Sequence, residues 1–136
     1  MKTSHEFSPK ETGGMLLGHM KGNLFYITDD VEAGPNAVHE ETFFLPDGLH
    51  QQTILEEKFF SSNGKVTYLG DWHSHPNNSA YLSLLDKGTL SKIGRDKNAQ
   101  ICTPIFIIIG TNPIEVKGWK FLEGEFIEQK INVKAK

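Results

Sequence analysis

The chain has 136 residues, with a net charge of −3 and a pI near 6.0. This length suits one domain with a single hydrophobic core, so we expect residues 1–136 to form one domain. Hydrophobic residues make up 38% of the chain, which is typical of a globular protein and excludes a disordered one. The acidic balance excludes the basic surface that nucleic acid requires, so no nucleic-acid partner is expected.

The compartment is indicated by what the sequence lacks. Cys102 is the only cysteine, which excludes an internal disulfide and fits a reducing compartment. The N-terminal stretch MKTSHEFSPKETGG has no apolar core of the kind found in a secretory signal. The longest apolar run, Ile105 to Ile109, is too short to cross a bilayer. The sequence therefore predicts a cytoplasmic protein without a membrane partner.

The first half of the chain predicts three strands and a helix. GGMLLGHM and NLFYIT are apolar segments separated by KGN, which predicts two strands joined by a tight turn. DDVEAGPNAVHE is polar and contains Gly34 and Pro35, so it predicts a loop, and ETFFL predicts a short strand. PDGLHQQTILEEKFFSSNG predicts a helix that ends before Gly64, with four apolar side chains on one face: Ile54, Leu55, Phe59 and Phe60.

The second half predicts a buried strand, a helix and a closing hairpin. KVTYLGDWH alternates as a strand does, with Tyr68 and Trp72 expected in the core, and TPIFIIIG is typical of a strand covered on both faces. IEVKGWKFL and EFIEQKINV predict a hairpin around Glu123 and Gly124. The order β-β-β-α-β-α-β-β-β predicts an α/β fold in which two helices pack against a mixed sheet. SLLDKGTLSKIGRDKN predicts a helix with four buried side chains: Leu84, Leu85, Leu90 and Ile93.

The stretch from Gly70 to Asp86, GDWHSHPNNSAYLSLLD, contains residues that could bind a metal. Alternate residues of a strand share a face, so His73 and His75 should point the same way. Both imidazoles could then reach one ion at about 2.0–2.1 Å, and Asp86 on the following helix could supply a third ligand. Three ligands of this kind leave a position open, which is typical of a catalytic zinc that lowers the pKa of water toward about 7. We therefore expect one Zn²⁺ per chain.

Each of these residues also has a simpler interpretation. A His-x-His pair alone is a weak signal for a metal. Ser83 and Asp86 fit a helix capping box, with Ser83 as the N-cap and Asp86 at the third helical position. The two interpretations of Asp86 are compatible, because a capped helix start also fixes the carboxylate.

A metal site that activates water also needs a base, and Glu11 in ETGGMLLG is the best remaining candidate. The alternative is a solvated glutamate near a fraying terminus. Gly13 and Gly14 after it permit either a turn or a close approach of another group. The other four histidines are expected to be surface or packing residues: His5, His19, His39 and His50.

These residues together resemble the JAMM motif of the MPN-type metalloproteases. E-T-G-G-x-L-L-G is followed by H-S-H-P-x6-S-x-x-D, with ten residues between the second histidine and the aspartate. GPNAVHEETFFLPD and TYLGDWHSHP resemble the small prokaryotic branch, so the resemblance covers about residues 8–120. The matching positions are Glu11, His73, Ser74, His75, Pro76, Ser83 and Asp86.

The resemblance implies both a fold and an activity. The implied fold is a three-layer α/β/α sandwich with a mixed sheet, like that of cytidine deaminases. The implied activity is zinc-dependent hydrolysis of the bond after the C-terminal glycine of a ubiquitin-like or sulfur-carrier-like protein. It implies that His73, His75 and Asp86 bind zinc, that Glu11 is the general acid/base, and that Ser83 supports the oxyanion. Bacterial relatives accompany ubiquitin-like conjugation operons, some of them anti-phage, or release sulfur carriers.

The sequence departs from the family pattern in three places. Only ten residues precede Glu11, where family members carry a strand and a helix, so a partner subunit could cover that end and the chain could be a homodimer. AYLS lacks the proline that often precedes the serine, which could move Ser83. No long insertion separates His75 from Ser83, so selectivity for one ubiquitin linkage is not expected.

Three other functions are alternatives to the peptidase. A zinc deaminase on the related fold would need a pair of cysteines in Pro-Cys-x-x-Cys, which the single cysteine excludes. A catalytically inactive MPN-type scaffold for protein interaction and a zinc amidohydrolase acting on a small molecule remain as alternatives.

Overall fold

The computed structural model describes residues 10–39, 44–95 and 103–132. In these residues the elements follow the order β-β-β-β-α-β-α-β-β-β. The helices are α1 (Gly48–Ser61) and α2 (Leu84–Arg95). The strands are β1 (Gly13–Lys21), β2 (Leu24–Glu32), β3 (Val38–His39), β4 (Phe44–Leu45), β5 (Thr67–His75), β6 (Ile105–Thr111), β7 (Ile114–Leu122) and β8 (Glu125–Gln129).

Six strands form one mixed sheet in the order β2-β1-β5-β6-β7-β8, and β3 pairs with β4 in a separate two-stranded sheet. Within the large sheet β5 and β6 run parallel, whereas the other neighbours are antiparallel. The parallel pair needs a crossover connection, and α2 lies in it. The predicted α/β fold with a mixed sheet is confirmed.

The two helices pack against the same face of this sheet. Strand register places Met15, Asp71 and Phe106 side by side on that face. The α1 side chain of Ile54 packs near Met15, and Leu90 of α2 packs against Phe106. Both helices therefore cover the face on which the central strands β1, β5 and β6 carry these three residues.

The opposite face holds a separate apolar cluster around Trp72, whose side chain is completely buried, as predicted. Ile107 of β6 lies opposite Trp72 in register, and Leu16 of β1 belongs to the same cluster. All five residues from Ile105 to Ile109 are buried, so the prediction that β6 is covered on both faces is confirmed. The two clusters leave β5 and β6 embedded in the core.

The hairpin predictions are confirmed, but the loop prediction is partly wrong. The chain turns at Gly22 between β1 and β2, and at Glu123 and Gly124 between β7 and β8. The segment DDVEAGPNAVHE was expected to be a loop, yet β2 runs on to Glu32 and β3 lies within it. Of the predicted strand ETFFL, residues 41–43 lie outside the described residues and the last two residues form β4.

The predicted buried faces of both helices are wrong in part. Leu84 is 87% exposed and Leu85 65% exposed, although Leu90 is completely buried. On α1, Phe59 and Phe60 are exposed as well. Side chains that face the sheet recur every three or four residues, and Leu84, Leu85 and Phe60 fall outside that series. Phe59, four residues after Leu55, continues the series but lies in the last turn of α1, where it is exposed. No helix in the described ranges has the length and apolar character needed to span a membrane.

Candidate active site

Two imidazoles lie at the C-terminal end of β5, where the strand reaches the edge of the core. His73 is opposite Gly13 of β1 on one side and Ile108 of β6 on the other, and His75 is opposite Gly110. Because the two histidines are two residues apart in a strand, both face the helices, as predicted. Their side chains retain only 15% and 9% exposure.

The carboxylate of Asp86 lies between these two imidazoles. Its Oδ1 accepts a hydrogen bond from Nδ1 of His73 at 3.2 Å, and its Oδ2 accepts one from Nε2 of His75 at 3.0 Å. Asp86 occupies the first turn of α2 and is almost fully buried. The structure thus brings together the three residues that the sequence predicted as metal ligands.

The start of α2 is also a capping box. The N–H of Asp86 donates to Oγ of Ser83 at 3.1 Å, and the N–H of Ser83 donates to Oδ2 of Asp86 at 3.1 Å. The reciprocal pair satisfies helix donors that would otherwise lack partners. The predicted capping box is therefore confirmed, and the same carboxylate serves the cap and the imidazoles.

These hydrogen bonds control the ionisation of Asp86. Burial alone would raise the pKa of this carboxyl, but the hydrogen bonds from His73, His75 and Ser83 outweigh burial and hold the pKa far below its usual range. Asp86 is therefore an anion at neutral pH although it is buried.

The loop that joins β5 to α2 is held in place by hydrogen bonds to the neighbouring strands β6 and β7. The carbonyl oxygen of Asn78 accepts a hydrogen bond from the N–H of Thr111 at 2.9 Å. The N–H of Ala80 donates to a carboxylate oxygen of Glu115 at 2.7 Å. Gly110 leaves room for this loop, since a Cβ there would come within 2.5 Å of the N atom of Ala80. The loop therefore fixes where α2 begins, and with it the position of Asp86.

Glu11 lies immediately before β1 and is half-buried. Burial raises the pKa of its carboxyl, whereas the charges of His73 and His75 lower it and that of Asp86 raises it further. These interactions place the Glu11 carboxyl within electrostatic range of all three groups. The structure thus brings Glu11 to the same site as the other predicted residues.

A pair of residues that the sequence reasoning did not connect holds the chain next to Glu11. The N–H of Thr12 donates to Oγ of Ser74 at 3.0 Å, and the N–H of Ser74 donates to the carbonyl oxygen of Thr12 at 2.9 Å. Both residues are buried. Ser74 faces away from the imidazoles because it lies between them on β5. Its place between two histidines in HSH was the only signal of this role.

His39 also differs from its predicted role as a surface or packing residue. It is half-buried on β3, and its Nδ1 donates a hydrogen bond to the carbonyl oxygen of Glu11 at 3.1 Å. Nothing in its local sequence pattern indicates this contact, because 28 residues separate the two partners.

The two glycines after Glu11 lie inside β1, so they do not form a turn. A Cβ on Gly14 would come within 2.1 Å of the carbonyl oxygen of Val31 and within 2.7 Å of Nε1 of Trp72. The alternative prediction, a close approach of another group, is therefore the one that holds at Gly14.

A second carboxyl lies on the imidazole face, two residues before His73. Asp71 accepts a hydrogen bond from the Tyr68 hydroxyl at 3.0 Å. Burial raises the pKa of Asp71 to about 6, and burial together with Asp71 raises the pKa of Tyr68. Tyr68 also packs beside the cluster of Met15 and Leu17, as its predicted core position requires.

The donor chemistry of the site fits a zinc ion, but the side chains are not arranged as a ready ligand set. In the described ranges no three His, Cys, Asp or Glu side chains are positioned to hold an ion as they stand. Two imidazoles and one carboxylate are a common zinc ligand combination, and here each imidazole already lies within 3.2 Å of a carboxylate oxygen of Asp86. Nδ1 of His75 is buried without a hydrogen-bond partner among the described residues. Coordination would replace the hydrogen bonds between the imidazoles and Asp86.

Apart from this site, a cavity of about 410 Å³ lies among β2, β6 and β7, and none of the predicted site residues lines it. A second cavity of about 330 Å³ lies beside Thr12 and is lined by His39 and His50 among others.

The mixed sheet, the helices on one of its faces and the imidazole–carboxylate group together are those of an α/β domain of the JAB/MPN class. The family model described as prokaryotic homologs of the JAB domain matches residues 1–122, and the chain belongs to this family. The resemblance that the sequence motif indicated is thereby confirmed.

Relatives of this chain have names that describe proteolysis. A CD-NTase/cGAS isopeptidase of Escherichia coli is 35% identical over 80 residues, which cover 59% of this chain and 51% of that protein. A probable metalloprotease, y4qB, of Sinorhizobium fredii is 30% identical over 115 residues, covering 83% of this chain and 70% of that protein. The match thus spans about half the length of the Escherichia coli relative.

A solved structure supports the fold independently. The solution structure of a protein from Desulfitobacterium hafniense superposes with a TM-score of 0.70 and 18% sequence identity. The superposition covers 99% of this chain and 86% of that one.

Proposed function

We propose that the protein is a zinc-dependent peptidase that hydrolyses the bond after the C-terminal glycine of a ubiquitin-like or sulfur-carrier-like protein. The observation that carries this proposal is the convergence of two imidazoles on the Asp86 carboxylate beside Glu11. Membership of the JAB family and the names of the relatives, isopeptidase and probable metalloprotease, support the reaction class.

In this proposal His73, His75 and Asp86 hold one zinc ion per chain. When bound, zinc supplies Lewis acidity, which polarises the scissile carbonyl and makes water acidic near neutral pH. The buried, ionised Asp86 contributes the negative charge that favours a dication. Its position is fixed by Ser83, so one ligand is preorganised by the fold before any metal binds.

Glu11 and Ser83 act on the proton and on the substrate. Glu11 is placed beside the ligand group, so its carboxylate can accept a proton from water and deliver it to the leaving amine. The Ser83 hydroxyl accepts the N–H of Asp86 through its oxygen and still carries its own proton. It can therefore donate a hydrogen bond to the oxygen on which negative charge develops.

A protein substrate is favoured over a small molecule by the rim of the site. Tyr81, Leu84 and Leu85 are 47%, 87% and 65% exposed next to Asp86. Tyr81 also contacts the ring of His75 at 4.9 Å between centroids. A row of exposed apolar side chains beside buried polar groups suits the surface of a partner protein better than a solvated metabolite.

The test uses fusions in which a ubiquitin-like protein ending in Gly-Gly precedes a reporter. We expect the full chain to cleave after the second glycine, to contain about one zinc per chain, and to lose activity in a chelator. Glu11→Gln should keep the zinc and lose cleavage. Ser83→Gly should lower cleavage about 100-fold or more, because an oxyanion donor is removed.

The matched control for Glu11→Gln is Glu128→Gln, which makes the same change at an exposed position on β8. Cleavage that survives complete removal of the metal would contradict the zinc mechanism. Turnover of small amides without cleavage of any fusion would favour the amidohydrolase, and zinc binding without any turnover would favour the scaffold.

A further inference from the structure

We propose that His39 is a positioning residue for Glu11, so that β3 contributes to the active site although it holds no residue of the JAMM motif. This inference rests on the function proposed above. It assigns to His39 the orientation of the peptide that carries the general base.

The peptide group between Glu11 and Thr12 is held at both ends. On one side His39 donates from Nδ1 to the carbonyl oxygen of Glu11 at 3.1 Å. On the other side the N–H of Thr12 donates to Oγ of the buried Ser74 at 3.0 Å. A trans peptide is planar and its C=O and N–H point in opposite directions. Fixing both groups therefore fixes the peptide plane, and with it the position of the Glu11 Cα atom from which the side chain extends.

The two anchors come from different parts of the fold. Ser74 belongs to β5, between the proposed zinc ligands, so it ties Glu11 to the metal site. His39 belongs to β3. The chain before β3 is tied to the start of α1 by two hydrogen bonds: the N–H of Asp47 donates to the carbonyl oxygen of Ala33 at 2.6 Å, and the N–H of Asn36 donates to the Asp47 carboxylate at 3.2 Å. If the His39 contact is lost, only one end of the peptide remains held.

The contact with a carbonyl oxygen defines which ring nitrogen of His39 carries a proton. A carbonyl oxygen accepts hydrogen bonds and cannot donate them, so Nδ1 of His39 must carry a proton. A side chain that places a donor at the Nδ1 position should replace histidine, and the short amide of asparagine does this. The longer amide of glutamine reaches instead to the position of Nε2.

The local space permits these exchanges. His39 lines the 330 Å³ cavity together with Thr12, Ala33 and His50, so smaller side chains create no clash there. His50 borders the same cavity from α1, and its hydrogen bond goes to Asp47 through the backbone. His50→Leu is therefore a matched control for His39→Leu.

The kinetic test measures cleavage of the diglycine fusion by zinc-loaded, full-length variants. We expect His39→Leu to lower kcat about 10- to 100-fold with KM and zinc content unchanged, because a displaced base costs turnover and leaves binding intact. His39→Asn should recover most of the loss, His39→Gln should not, and His50→Leu should match the wild type. Wild-type kcat in His39→Leu would overturn the inference.

A measurement independent of activity is the protonation of the ring in the wild-type protein. Long-range proton–nitrogen NMR spectra should show a protonated Nδ1 for His39 at neutral pH, and a ring protonated only at Nε2 would overturn the contact. Should the wild type neither bind zinc nor cleave any fusion, the proposed function fails and the role of His39 with it. An active wild type with an unaffected His39→Leu would overturn this inference alone.

Discussion

At the start of each helix an aspartate accepts backbone N–H groups, yet only one of these starts belongs to the candidate site. At α1, Asp47 is the N-cap, and its carboxylate accepts the N–H groups of His50 and Asn36, each at 3.2 Å. At α2, Ser83 is the cap and Asp86 completes the box. Asp47 accepts hydrogen bonds from these backbone groups, whereas Asp86 also accepts hydrogen bonds from two imidazoles.

The difference lies in what each helix start faces. The start of α1 faces the polar end of β2 and the turn after it, so its carboxylate accepts backbone N–H groups of that turn and of the first helical turn. The start of α2 faces the end of β5, where alternation has put both histidines on the helix side. An aspartate at a helix N-terminus is therefore an ordinary cap by itself, and its surroundings determine whether it can also bind an ion.

The largest expected effect comes from removing the charge at each helix start. Asp86→Asn retains an oxygen that can accept the N–H of Ser83, so the helix should still form. It removes the anionic ligand, so we expect zinc to be lost and cleavage to fall by more than the 10- to 100-fold typical of residues that only orient ligands. Zinc analysis and cleavage of the diglycine fusion measure both.

Asp47→Asn makes the same chemical change at the other helix and is the matched control. Asparagine is as good an N-cap as aspartate, so we expect wild-type zinc content and wild-type cleavage. Equal losses in the two variants would mean that both carboxylates act only through helix stability, which would contradict a separate role for Asp86.

A second prediction concerns how α2 is held on the sheet. Leu90 is completely buried against Phe106 and Phe121, so Leu90→Ala should lower the free energy of unfolding by about 2–5 kcal/mol. Leu84→Ala should change it by less than about 0.5 kcal/mol, because Leu84 is almost fully exposed. Urea denaturation of the two variants provides the measurement. A large effect of Leu84→Ala would show that the rim of the site is buried in solution.

This contrast explains why the sequence predicted the helix but misjudged its buried face. The residues of α2 that face the sheet are Asp86, Leu90 and Ile93, a spacing of four and then three. The series begins with a charged residue, and hydrophobic pattern reasoning assigns leucines to the core before an aspartate. Asp86 is buried only because distant histidines satisfy it. Leu84 and Leu85 are exposed as a consequence.

The same limit applies to the contacts around Glu11. The succession of elements along the chain apart from β3, the turn at Gly22 and the β7–β8 hairpin follow from local alternation and turn residues, so the sequence predicted them. The pairing of β3 with β4 and the contact between His39 and Glu11 join residues that are not neighbours in the sequence, so they leave no periodic pattern in it. The motif spacing could predict which residues meet, but not which neighbours hold them.

A third prediction separates the cap of α2 from its other contacts. Ser83→Ala leaves the N–H of Asp86 without its side-chain acceptor, so we expect the free energy of unfolding to fall by about 0.5–2 kcal/mol. Ser61→Ala, an exposed serine at the end of α1, is the control and should change the stability little. Equal stability of the two variants in urea denaturation would contradict the capping role of Ser83.

The smallest expected effect is the response of α1 to acid. Hydrogen bonds from the backbone N–H groups of His50 and Asn36 lower the pKa of Asp47 in the folded protein. A depressed folded pKa adds stability above the unfolded value of about 3.9, and this stability disappears as the pH falls from there through the folded pKa. The free energy of unfolding of the wild type should therefore decline more steeply below about pH 4 than that of Asp47→Asn, whose cap does not titrate. Urea denaturation of both proteins between about pH 3 and 6 measures the difference, and parallel pH profiles would mean that Asp47 keeps its unfolded pKa in the folded protein.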